Sequence, residues 1–294
     1  MTYSNKKTFN YETHFMGHGE GDGSIPECAK HYRFKRLSQV VSLQKQHILD
    51  YGCGGGIFLR TLKTIYPAIH GYGCDISKQA IDLAQNTDTT GNTYKVNTAK
   101  IPFPDAVFDI ICCLDVLEHI PSYEHTMREL KRVLKRNGKI FFCIPCEGQP
   151  FTYTWLVRLW YKKFDLTNRY WGHVHPEFTH QYVLEIMKKS GFRIVDKSYG
   201  EHIFSQCFEL CTYFLPKFLL EKIMGDKIAS RVSDSGVTKR KLLKKSFAEN
   251  FFLLVRHIWL TMTKAVGNVA LYESEVLKNF SFGAWKILLL VEKV

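Results

Sequence analysis

Ile48-Leu-Asp-Tyr-Gly-Cys-Gly-Gly-Gly56 decides how this chain is read. An apolar run that is too short for a helix ends in a cluster of glycines, which predicts a strand entering a tight turn. Without a Cβ, the backbone can turn sharply there and a ligand can approach the main chain closely. The spacing excludes two familiar glycine loops. A nicotinamide fingerprint needs a sixth-position glycine, but counting from Gly52 reaches Ile57 and counting from Gly54 reaches Leu59. A phosphate loop would continue into Gly-Lys-Ser/Thr, and none follows. What remains is an acidic residue two positions before a Gly-x-Gly, with Asp75 a further strand along the chain. A carboxylate at that second place can accept from both hydroxyls of a ribose.

Outward from this loop the pattern alternates. Residues 27–44 carry apolar positions at helical spacing, and 47–50 are a strand. A helix is expected over 57–66, a strand over 68–75, and a helix over 78–85 behind the N-cap Ser77. Strands follow at 93–96 and 108–114. A helix over 123–135 stops at Asn137-Gly138, and a strand over 139–144 is cut off by Pro145. A helix over 179–190 precedes a strand over 192–198, and the run 285–293 reads as a final buried strand. Such alternation predicts an α/β protein with a mostly parallel sheet covered on both faces.

The composition is that of a folded chain, with a formal net charge of +12 and nine cysteines. The charge directs attention to anionic partners or to a solvated basic surface, and is silent about fold. An odd number of cysteines, several inside strand-like runs, suits reduced thiols in a cytoplasmic protein. Cys143-Ile-Pro-Cys146 has zinc spacing but no second pair to complete four ligands. The N-terminus lacks the apolar core of a secretory signal. The longest apolar stretch, 251–272, is interrupted by Arg256, His257 and Lys264, so no spanning helix is expected.

Five segments in order make the resemblance specific: Leu49-Asp-Tyr-Gly-Cys-Gly-Gly-Gly56, Gly73-Cys-Asp-Ile-Ser77, Ile101-Pro-Phe-Pro-Asp-Ala-Val-Phe-Asp109, Leu114-Asp-Val-Leu-Glu-His-Ile120 and Arg132-Val-Leu-Lys-Arg-Asn-Gly138. Together they resemble the class I S-adenosylmethionine-dependent methyltransferases, in the branch typified by ubiquinone and menaquinone methyltransferases. The resemblance implies a Rossmann-like doubly wound sheet of seven strands, mostly parallel with an antiparallel last strand. It also implies a helical insertion before that strand. The domains would be an arm and helix over 1–46, a core over 47–203, the insertion over 204–280, and the final strand over 281–294. The implied cofactor is S-adenosylmethionine. Asp50, Gly52, Cys53 and Gly54 would line its methionine end, Asp75 would hold the ribose, and Ile76 would pack on adenine. Leu114 would complete the set. Where the family usually carries an acidic residue before Ala99, this chain has Thr98, whose hydroxyl can still accept, beside the Ala99 amide.

Methyl transfer to a hydroxyl is helped by a general base. Candidates are Glu118 and His119, then His173, His175 and His180. Glu118 and His119 also fit a structural or substrate-shaping role. A small or lipid-like acceptor is expected. The aromatic and aliphatic residues of the insertion, ringed by lysines, fit an element lying at the inner face of a membrane, and equally helices packed on the core. Two alternatives stay open. Small-RNA 2′-O-methyltransferases use a Glu-x-x-Glu-His set with a later His to hold a divalent metal, and Asp115, Glu118, His119 and His173 approximate it. No RNA-binding module accompanies them, so nucleic acid is not the expected partner, and no metal ligand is assigned. A non-catalytic scaffold is the other.

Overall fold

The computed structural model describes residues 25–98, 100–160, 172–209, 268–269 and 271–294. The expected N-terminal arm before residue 25, Ala99, and residues 210–267 and 270 of the insertion expected over 204–280 lie outside the described residues. Seven strands form one sheet: β1 (His47–Tyr51), β2 (His70–Asp75), β3 (Thr93–Val96), β4 (Phe108–Leu114), β5 (Leu134–Pro145), β6 (Phe192–Gly200) and β7 (Lys286–Lys293). Their order is β3-β2-β1-β4-β5-β7-β6. Neighbours from β3 to β5 pair in parallel, and β7 runs antiparallel to both β5 and β6. The Rossmann-like arrangement and the reversed last strand are as expected. Because the order reverses between β1 and β4, a crevice opens at their carboxyl ends, the usual ligand position in open α/β sheets.

The two-residue period of a strand divides the core into two layers. In β4, Ile111 and Cys113 face one layer with Met127, Leu130, Val183 and Met187. Ile110 and Cys112 face the other, with Phe34, Leu37, Phe58, Leu59 and Leu62. The helices of the first layer are α5 (Tyr123–Val133) and α7 (His180–Lys189). The second is covered by α1 (Ile25–Lys30), α2 (Tyr32–Val40), α3 (Ile57–Ile65) and α4 (Lys78–Thr87), while α6 (Tyr153–Trp160) and α8 (Ile203–Glu209) lie beyond β5 and β6 in sequence. Phe108, Phe141 and Phe142 are completely buried; truncating such a residue to alanine costs about 3–5 kcal/mol.

Local chemistry sets the boundaries. Ser77 caps α4, its hydroxyl accepting from the Ala80 amide at 3.1 Å. Thr179 caps α7 in the same way, and Gly191, at a φ of 73°, turns the chain into β6. Two expectations need correction. The stretch 27–44 is covered by two helices, α1 and α2, broken at His31, which caps α2, and the helical part ends at Val40. Asn137-Gly138 does not stop α5, which ends at Val133. Completely buried Leu134 already pairs with Phe108, so 135–138 form an irregularity inside β5 before Lys139 pairs with Ile110.

Candidate active site at the carboxyl edge of the sheet

β1 delivers Asp50, which is buried, into a loop where Gly52, Gly54 and Gly56 have φ values of 79°, 48° and 78°. These left-handed conformations are the physical reason for the glycines. Gly54 donates its amide to Asp75 Oδ2 at 2.9 Å, and the Ser77 amide donates to Oδ1 at 2.9 Å. The Asp75 carboxylate is thereby fixed at the end of β2, beside the loop. Ile76 leaves more than half of its side chain exposed next to it, an apolar face suited to a planar ring. Cys53 is buried and its thiol is pushed up by desolvation, reinforced by Asp50 and Asp75, so it stays protonated. Thr98 is exposed, with its hydroxyl directed to the Lys100 carbonyl at 3.3 Å. Leu114, half-buried, ends β4 across the crevice.

The turn after β4 lies directly against this loop. A Cβ built on Gly52 would come within 2.4 Å of Val116 Cγ2. The same turn carries Glu118 and His119, and the backbone of Val174 donates to the Glu118 carbonyl at 2.8 Å, drawing the 172–175 segment over it. Glu118, His119 and His173 consequently converge, with one potential ligand atom from each within 4.8 Å of the others. Glu118 Oε1 lies 3.8 Å from His119 Nε2 and 3.9 Å from His173 Nε2. Glu118 is completely buried, and among the described residues neither carboxylate oxygen has a hydrogen-bond partner. Burial, then the negative Asp115 nearby, pushes its carboxyl above the usual range. Burial and the neighbouring His173 push His119 down to about 3, so its ring is neutral.

The RNA alternative would need Asp115 in this group, and Asp115 lies outside it. Asp115, at a φ of 53°, turns away to meet Arg33 Nη1 at 2.6 Å and Lys286 Nζ at 3.0 Å. Lys286 also reaches Glu201 at 3.1 Å, and the Tyr32 hydroxyl donates to Glu201 at 3.0 Å. Burial alone would raise the Asp115 carboxyl, but Lys286 and Arg33 hold it well below the usual range. The other two histidines are occupied elsewhere. His175 bonds the Ile120 carbonyl and Glu177, both at 2.8 Å, and stacks on Phe178. His180 packs on Tyr199. One participant went unread: completely buried Glu147, just past β5, whose Oε1 lies 2.5 Å from His173 Nδ1. It belongs to none of the motif segments, so nothing local in the sequence marked it.

The cysteines of the described residues are free thiols, Cys143 and Cys146 included. No helix among the described residues is long and apolar enough to cross a membrane.

Residues 29–197 match a family model described as a methyltransferase domain. The chain is 32% identical over 176 residues to a ubiquinone biosynthesis O-methyltransferase of Coxiella burnetii strain Dugway 5J108-111, covering 56% of this chain and 70% of that protein. Against the protein of the same description from strain RSA 331 / Henzerling II, identity is 35% over 117 residues, covering 37% of this chain and 48% of the relative. The chain thus spans between about half and 70% of these relatives. Among solved structures, the [4+2]-cyclase SpnF superposes with a TM-score of 0.55 at 17% identity, covering 95% of this chain and 88% of that one. That likeness is one of fold alone.

Proposed function

The chain belongs to the methyltransferase domain family and takes S-adenosylmethionine as cofactor, and from that premise we propose that it methylates a hydroxyl of a small or lipid-like acceptor, with His173 as general base. The observation that carries this reading is the contact of the glycine loop with the turn bearing Glu118 and His119, beneath His173. When bound, S-adenosylmethionine supplies an electrophilic sulfonium methyl group. The residues present suit it: a left-handed glycine loop at Gly52 and Gly54, a fixed carboxylate at Asp75, and an exposed apolar side chain at Ile76. Asp75 would accept from the ribose hydroxyls, Ile76 would cover adenine beside Thr98, and Asp50 with Cys53 would bound the methionine end.

The protein's remaining task is to hold the acceptor oxygen in line with the methyl group and take its proton. His173 Nε2 points toward Glu118 and His119, where an acceptor hydroxyl would enter. Burial pushes the Glu118 carboxyl above its usual range, and in its protonated form it would donate a hydrogen bond to an acceptor oxygen without adding charge. The Coxiella relative is a ubiquinone biosynthesis O-methyltransferase, and that supports a hydroxyl acceptor here.

A second reading is favoured by the three-residue cluster itself. Glu118, His119 and His173 form a two-histidine, one-carboxylate group that fits a divalent cation, which would lower the acceptor hydroxyl's pKa. Asp115 takes no part in it, which weakens the parallel with RNA methyltransferases.

The segment 204–280 is proposed as the acceptor-side element, touching a membrane surface. Ile203, Phe204, Phe280 and Phe282 are exposed at its two ends, and the Phe151 ring lies tilted against Phe282 with centroids 5.0 Å apart. Residues 210–267 contain eleven Lys/Arg against four Asp/Glu, as an anionic lipid surface would require.

Calorimetric titration of S-adenosylmethionine into wild type and Asp75→Ala tests the cofactor half. Two hydrogen bonds to a charged group, about 1.5–3 kcal/mol each, predict a loss of at least ~100-fold in affinity. Absence of binding by folded wild type would return the scaffold reading. Turnover of catechol acceptors tests the other half: His173→Gln should lose about 10²–10⁴-fold. Activity abolished by a chelator and restored by Mg²⁺ or Mn²⁺ would select the metal reading.

A further inference from the structure

Glu147 is buried completely and lies outside the motifs that identify the family. Its position is tightly specified by its neighbours. Cys146 donates its amide to the Trp285 carbonyl at 2.7 Å, and Gly148 donates to the Phe178 carbonyl at 2.8 Å. A Cβ on Gly148 would stand 2.9 Å from the Pro176 carbonyl oxygen, so the 146–149 turn is pressed against the segment that carries His173. The Glu147 carbonyl receives Thr154 Oγ1 and Arg158 Nη1, each at 3.5 Å. A carboxylate held this way acts as a fixed acceptor.

The imidazole it meets is equally confined. The His173 ring lies edge-on to His119 with centroids 4.8 Å apart, and is tilted over Trp285 at 6.3 Å. Its Nδ1 is 2.5 Å from Glu147 Oε1, while Nε2 faces Glu118 Oε1 at 3.9 Å. Which ring nitrogen carries the proton is set by the hydrogen bond the other nitrogen makes. A carboxylate against Nδ1 takes the N–H there and leaves the lone pair on Nε2.

We infer that Glu147 is a positioning residue that holds His173 in the Nδ1–H tautomer, with the Nε2 lone pair directed at the Glu118–His119 side of the crevice. The inference rests on the reading of His173 as the group facing the acceptor and supplies what that reading lacks, a cause for the basic nitrogen being the one that faces inward. An imidazole free of such a partner favours the Nε2–H form, in which the inward nitrogen is a donor and cannot take a proton. The side chain acts through His173 and has no role at the cofactor loop.

The test is the ring ¹⁵N spectrum of His173 at pH 9, where imidazoles are neutral, assigned by its absence in His173→Gln. Wild type should have a protonated Nδ1 and an unprotonated Nε2. Glu147→Ala should move the ring to the Nε2–H form, and Glu147→Gln, whose amide oxygen can accept the same proton, should restore the wild-type form. S-adenosylmethionine affinity of all three should agree within about two-fold. A wild-type ring protonated at Nε2, or a tautomer unchanged in Glu147→Ala, would overturn the inference. If Glu147→Ala does not fold, the wild-type tautomer decides alone. The spectrum is read without turnover, so it is separable from the parent reading, whose own failure would appear as undiminished O-methylation by His173→Gln.

Discussion

Replacing Asp115 by Asn tests the charge network that crosses the sheet edge. Arg33, Lys286, Asp115 and Glu201 balance to zero, and the side chains of the two cations are 6% and 7% exposed. Asp115→Asn keeps shape and removes one negative charge, leaving a buried net positive charge. Breaking a buried pair costs about 3–5 kcal/mol; because the Asp115 side chain is 19% exposed, the lower end, about 3 kcal/mol, is expected. At roughly 2–4 °C per kcal/mol, Tm should fall by about 6–12 °C. The double variant Asp115→Asn/Lys286→Met restores neutrality, so it should be less destabilised than the sum of the two single variants by at least ~1 kcal/mol. Urea unfolding followed by tryptophan fluorescence measures this as a change in midpoint at constant slope. The pH dependence has a definite sign. The native Asp115 carboxyl is held below its unfolded value, so its stabilisation is present above about pH 4 and lost as pH falls further. Asp115→Asn should lack that part of the acid loss. Additivity of the two substitutions within about 0.5 kcal/mol would refute the reasoning.

Gly56→Ala meets both a φ of +78° and the Tyr94 hydroxyl at 2.8 Å, whereas Gly91→Ala meets a φ of +82° with nothing within 4 Å. The second should cost only the left-handed strain, about 1–2 kcal/mol, and the first measurably more in the same urea titration. Burial holds His180 down to about 4 against an unfolded value near 6.5, so the unfolded chain binds the extra proton first. Stability should therefore fall by about 3 kcal/mol as pH drops through that window, and the fall should be shallower in His180→Gln. Phe151→Ser/Phe282→Ser should reduce co-sedimentation with anionic liposomes several-fold while leaving S-adenosylmethionine affinity unchanged. Equal sedimentation would remove the membrane proposal.

The core strands were legible because both of their signals are local. β1 and β4 are short apolar runs bounded by turn residues, and Ser77 announces α4 three residues ahead of the amide it caps. Asn137-Gly138 misled because the same dipeptide serves a helix stop and a bulge, and only the pairing of Leu134 with Phe108 distinguishes them. Within the candidate site, Glu118, His119 and His173 were named from sequence, two of them in a recognisable motif, and the structure brings them together. The fate of Asp115 was hidden because its partners, Arg33 and Lys286, stand 82 and 171 residues away. Glu147 was hidden for the same reason: its meaning comes from His173, 26 residues later, across an element boundary.

The place of β7 has a consequence for synthesis. This strand enters between β5 and β6, pairing with both, and its residues 286–291 are buried. A ribosome delivers it after the strands it must separate. Until residues 286–293 emerge, β5 has an open edge and β6 has no neighbour, so an apolar slot stays vacant in the nascent chain. A chain that stops before residue 286 would leave that slot permanently unfilled. Proteolytic clearance of such truncated chains, with the glycine loop and its acidic partners all intact, is the expected fate.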